Sequence, residues 1–132
     1  MWYKNLNRER FRADTERLLL MKICKIKELL DAKVLCGDVD KPFLGVYAGD
    51  FLSRAMSRVE YDCIWVTIMA NVNVVAVATL TEPAAIVLAE DVVLQEDALK
   101  AAIENGLTVL SSPLSTYDIC VAIGQLAEES PE

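Results

Sequence analysis

The side chains that could do chemistry here are carboxylates, hydroxyls, amides and thiols, because the sequence contains no histidine. That removes the commonest general base and the usual group that activates a Ser or Cys nucleophile. Three close carboxylate pairs stand in for it: Asp38/Asp40, Glu90/Asp91 and Glu96/Asp97. Each falls where a turn or a first helical turn holds solvated acids, and Glu96/Asp97 also suits the positive end of a helix dipole. Solvated surface is the reading adopted for all three. The thiols Cys24, Cys36, Cys63 and Cys120 lie 12, 27 and 57 residues apart, with no CxxC pair. Without histidine only a scattered all-Cys zinc set remains, so buried free thiols in a reducing cytoplasm are expected. No GxxxxGK[ST] loop exists to cradle a triphosphate. A non-enzyme without cofactor or metal is the expectation.

The remaining candidates are small polar residues at the ends of expected strands. They are Gly49 and Asp50, Thr67 with Asn71 and Asn73, and Ser111 and Ser112 ahead of Ser115. In open α/β sheets, ligands gather beyond the carboxyl ends of strands, near helix N-termini. The three serines, with free backbone N–H groups, could hold an anion such as a nucleotide phosphate. The structural alternative makes Ser115 and Asp50 helix caps and gives Ser111 and Ser112 to a turn before Pro113.

Elements that would position these residues can be read from periodicity and punctuation. Met21 opens an amphipathic helix with Ile23, Ile26, Leu29 and Leu30 on one face. Strands are expected over Lys33–Cys36 and Leu44–Ala48, separated by a Gly-, Asp- and Pro-containing turn. Asp50 is placed to cap a short helix over Phe51–Arg58. Further strands are expected over Cys63–Ile68, Val74–Leu80 and Ala85–Leu88, with a hairpin through Thr81-Glu82-Pro83 joining the last two. A helix follows from Gln95 to Asn105, with Leu99, Ala102 and Ile103 inward and Asn105-Gly106 as a left-handed cap. A strand over Leu107–Leu110 leads to Ser115-x-x-Asp118, a capping-box spacing that opens a last helix to about Ala127. The expectation is a single three-layer α/β domain with a mixed, mostly parallel sheet flanked by helices.

Composition sets the class. At 132 residues the chain makes one domain, and 54% apolar residues supply a sizeable core. Cys63 to Ala89 carries a single charge, Glu82, so it must be either a membrane span or the buried centre of a sheet. Asn71, Asn73 and the acidic flanks Asp62 and Glu82 argue for the sheet. Net charge is −7, and residues 59–132 hold one basic side chain, Lys100, against twelve acidic ones. Such a surface repels phosphate backbones and anionic lipid, which disfavours nucleic acid and membrane as partners. Residues 1–20 hold five basic and three acidic side chains and read as a charged extension or helical arm. They lack an apolar signal-peptide core. Met21 stands as an alternative functional start, so the domain is placed at 21–127, with an acidic tail at 128–132.

Asp40-Lys41-Pro42-Phe43-Leu44-Gly45-Val46-Tyr47-Ala48-Gly49-Asp50-Phe51-Leu52-Ser53, then Trp65-Val66-Thr67-Ile68 and Val74-Val75-Ala76-Val77-Ala78, together resemble the DRTGG family in its small stand-alone form. In the name-giving motif Asp40 and Gly45 match, while Lys41 replaces the Arg, Leu44 the Thr and Val46 the second Gly. The resemblance implies a fold similar to the N-terminal domain of HPr kinase/phosphorylase and a regulatory or assembly role. The expected function is a non-catalytic regulatory or ligand-sensing module, as a homodimer, binding a small anionic metabolite or nucleotide through Gly49, Asp50, Thr67, Asn71, Asn73, Ser111, Ser112 and Ser115. The alternative is an assembly subunit docking onto a partner enzyme, with Phe43, Tyr47, Phe51 and Trp65 as interface candidates. An enzyme using carboxylates or a thiol is the third reading.

Overall fold

The computed structural model describes residues 21–129, with side chains through residue 126. The expectations for residues 1–20 and for the end of the acidic tail lie outside the described residues. Helices are α1 (Ile23–Leu29), α2 (Leu52–Arg58), α3 (Val72–Thr81), α4 (Glu96–Glu104) and α5 (Thr116–Glu129). Strands are β1 (Lys33–Cys36), β2 (Gly45–Ala48), β3 (Cys63–Thr67), β4 (Ala85–Leu88) and β5 (Val109–Ser111). They form one five-stranded sheet in the order β1-β5-β4-β3-β2. β2 to β5 are parallel, and β1 runs antiparallel along β5. The mixed, mostly parallel α/β architecture expected from the sequence is the one observed.

Side-chain alternation along the strands divides the core in two. Ile64, Val66, Ala85, Val87 and Leu110 pack with Ile23 and Ile26 of α1, Leu30 at its C-terminal cap, and Ile119 and Ile123 of α5. Trp65, Ile86, Leu88 and Val109 point to the other face, where they meet Ala55 of α2, Val74 and Ala78 of α3, and Ala98 and Ala102 of α4. β3 and β4 are buried along their whole length, so both strands read as unbroken apolar runs. Among the described residues no helix is long and apolar enough to cross a membrane.

Several sequence expectations need correction. The strand expected over Val74–Leu80 is the body of α3, and no hairpin follows it. β3 and β4 are parallel, and a parallel pair requires a crossover too long for a hairpin. The burial of Val74, Val75, Val77 and Ala78 has helical spacing, although Val and Thr favour strands in isolation. The inward assignments of Leu29 and Ile103 also fail, because these side chains are 43% and 60% exposed. Ala98 joins Ala102 as the buried stripe of α4.

Gly37 shows how tightly β1 sits on the sheet. Its φ is +92°, and a Cβ there would lie 2.4 Å from the Thr108 Cα. The sequence expectation of a turn at Gly37 thus has a second cause, close backbone approach.

Candidate functional site

Because β2 to β5 are parallel, their carboxyl ends lie along one edge, followed by the N-termini of α2, α3, α4 and α5. Register aligns Thr67 with Leu88, and Leu88 with Ser111, in a row across that edge. Lys33, first residue of the antiparallel β1, pairs with Ser111 and so reaches the same edge. All eight residues singled out in the sequence lie on this side of the sheet, at strand ends or in the loops and helix starts beyond them.

Gly49, Asp50 and Thr67 are brought together directly. The fully buried Thr67 hydroxyl donates to Asp50 Oδ1 at 2.8 Å, and the Ile68 backbone N–H donates to the same oxygen at 2.8 Å. Met69 N–H donates back to Thr67 Oγ1 at 3.1 Å. The Gly49 carbonyl accepts from the Trp65 indole N–H at 3.0 Å, and its N–H donates to the Val66 carbonyl. Asp50 is therefore no helix cap. Phe51 occupies the cap position of α2 without a side-chain bond, and the Asp50 carboxylate ties the β2–α2 loop to the β3–α3 loop instead. A ligand-facing carboxylate and a strut are both compatible with that geometry.

Asn71 caps α3, its side-chain oxygen accepting from the Asn73 N–H at 3.1 Å. Asn73 itself is exposed. The serines are held more tightly than their sequence suggests. Ser111 Oγ donates to the Val92 carbonyl at 2.6 Å and Ser112 Oγ to the Leu30 carbonyl at 2.7 Å, both from buried positions. Their hydroxyl protons thus point at protein. Ser115 is the helix cap its spacing implied, accepting from the Asp118 N–H at 3.1 Å.

The loops are stitched in series. The Asp50 bonds join the first to the second, the Gln95 N–H reaches the Ala70 carbonyl at 3.1 Å, and the Glu90 and Asp91 N–H groups reach the Leu114 and Ser112 carbonyls at 2.9 Å. The last two bonds close the crevice where the chain leaves β4 toward α4 on one face and β5 toward α5 on the other, the usual binding position in such sheets. Glu90 and Asp91 are both left-handed, with φ of 58° and 60°. Sequence reading treated this pair only as a solvated turn, and nothing in the residue types signals its bridging role.

Exposed Asp50, Glu90, Asp91, Glu96, Asp97 and Asp118 make the edge acidic, with Lys33 at one end. Among the described residues no group of three or more His, Cys, Asp or Glu side chains is arranged to hold a metal ion. Burial raises the Cys63 thiol to about 11, and Cys36 and Cys120 are also raised by burial, so these thiols are poor nucleophiles near neutral pH.

No family model matches the chain, and none of the curated proteins matches it. Among solved structures, its fold is similar to that of the CBS and DRTGG domains of the regulatory region of Clostridium perfringens pyrophosphatase, in complex with the activator diadenosine tetraphosphate. The TM-score is 0.71 at 14% identity, covering 85% of this chain and 49% of that one. This chain therefore spans about half the length of that structure. At such identity the likeness establishes a shared fold.

Proposed function

We propose that this protein is a non-catalytic regulatory module of the cytoplasm that senses a nucleotide or similar small anionic metabolite at the carboxyl edge of its sheet. Gly49, Asp50, Asn71 and Asn73 form one side of the binding region and Ser115 the other, while the buried Thr67, Ser111 and Ser112 brace its loops from behind. The observation that carries this reading is the serial stitching of the loops, because a ligand engaging one loop loads its neighbours. Support from outside the chain comes from the shared fold, found in a regulatory region that takes a nucleotide activator. The acidic rim constrains the ligand. Bare phosphate is repelled there, so a nucleotide binds as its divalent-cation complex, with Asp50 accepting from donors of the base or sugar.

A thermal-shift panel of nucleotides with and without Mg²⁺ tests this reading. The expected result is a higher melting temperature for at least one nucleotide, with a larger rise when Mg²⁺ is present, lost in Asp50→Ala. At a ligand concentration about 100-fold above Kd, the stabilisation is ~2.7 kcal/mol. A complete panel without any shift rejects the proposal.

The assembly reading keeps one specific observation. Phe51 is 71% exposed at the edge, which suits a docking contact. Phe43 and Trp65, the other strong aromatic candidates, are fully buried and belong to the core, and Tyr47 is half-buried. Alanine at Phe51 lowers recovery of a partner enzyme in a pull-down from native cells on this reading.

A further inference from the structure

We propose that the outer face of α3 is the surface on which two copies of this chain associate, about a twofold axis parallel to that helix. α3 has the sequence VNVVAVATLT, without a charged residue, and the polar side chains it exposes are Asn73 and Thr79. A helix so rich in apolar residues ordinarily lies largely buried. Here its inner face is covered by the sheet, while Val72, Ala76 and Leu80, one helical turn apart from each other, face outward. Leu80 is 71% exposed. Small Ala76 stands midway along the stripe and lets a second helix approach closely.

The occupant is specified by charge. α3 lies between α2 and α4, packing against both. α2 carries Arg54 and Arg58 and no acid, a net +2. α4 carries Glu96, Asp97 and Glu104 against Lys100, a net −2. The layer thus reads positive, neutral, negative across its width. A twofold axis along α3 reverses that order in the partner, so each α2 faces the partner subunit's α4. A twofold axis across α3 would instead set α2 against α2 and α4 against α4, with like charges opposed. One surface is therefore complementary to itself in a single orientation, which is the condition for a closed, isologous dimer. This contact lies on the helical face and leaves the carboxyl edge open, so it stands independently of the ligand reading.

Sedimentation velocity of the full chain across the micromolar range is the test. The expected result is a dimer, weakened by added NaCl because the flanking pairs are exposed. Ala76→Arg gives a monomer with an unchanged circular dichroism spectrum and a melting temperature that no longer rises with protein concentration. Arg54→Glu with Arg58→Glu weakens association by about tenfold, and adding Glu96→Lys and Glu104→Lys restores it. A full chain that stays monomeric throughout overturns the proposal, whether residues 1–20 or a different protein covers α3. Dimerisation that survives Ala76→Arg, or reversal of α2 charges without effect, overturns it equally.

Discussion

Single residues in this fold do work that their types only partly announce. Gly37 is the sharpest case, since its positive φ and a Cβ position 2.4 Å from the Thr108 backbone leave no room for a side chain. Gly37→Ala should cost about 3 kcal/mol or more in chemical denaturation. Gly106→Ala, with φ +67° and open space around it, should cost about 1 kcal/mol. Cys63 supplies a pH signature. Burial lifts its thiol from an ordinary 9.0 to about 11. The folded state therefore keeps a proton that the unfolded chain releases, and stability is full below pH 9 and falls as pH rises through about 11. Denaturation midpoints from pH 8 to 11 should show that loss, and Cys63→Ala should reduce it, leaving the smaller part that Cys36 and Cys120 contribute. Asp50 was legible as a polar residue at a strand end, but its partners Thr67 and Ile68 lie 17 and 18 residues away. Parallel packing of β2 on β3 brings them together, and no local spacing encodes that.

At the scale of elements, α3 is where local preference and tertiary demand disagree. Its Val and Thr residues favour a strand, and their stiff side chains lose rotamer freedom in a helix. The helix forms because β3 and β4 are parallel neighbours that need a covering crossover, and because Val74, Val75, Val77 and Ala78 gain burial in that form. With weak intrinsic propensity, the start signal matters more. Asn71→Ala removes the cap on α3 and should lower unfolding free energy by about 1 kcal/mol, measured by urea titration. The Ser115 cap was legible from its Ser-x-x-Asp spacing, since capping depends on residues three apart in one turn. The helices α4 and α5 and the strand β4 were legible for the same local reasons, with strong punctuation at both ends.

The molecule as a whole is a sheet with a rigid centre and two different borders. β4 pairs on both sides and is fully buried, whereas β2 pairs only with β3 and β1 only with β5. Native-state hydrogen exchange should find the slowest amides in β3 and β4 and faster exchange in β1 and β2, with equal protection across the sheet as the outcome that contradicts this picture. Charge is also arranged at this scale. The carboxyl edge gathers acids from separate loops, and the α2–α3–α4 layer runs from basic through neutral to acidic. The proposed nucleotide site falls on the first of these surfaces and the proposed dimer contact on the other, so the two lie on separate faces.

Residue types and their order were sufficient to exclude histidine-dependent catalysis, to mark an apolar centre and to set the alternation that yields a layered α/β domain, because those depend on composition and short-range periodicity. The tertiary fold alone decided that α3 is helical, that Asp50 braces a neighbouring loop, that the Ser111 and Ser112 hydroxyls turn inward, and that the oppositely charged helices α2 and α4 flank α3 in one layer. These outcomes depend on which strands are neighbours, a relation between distant segments fixed by burying both faces of the sheet at once.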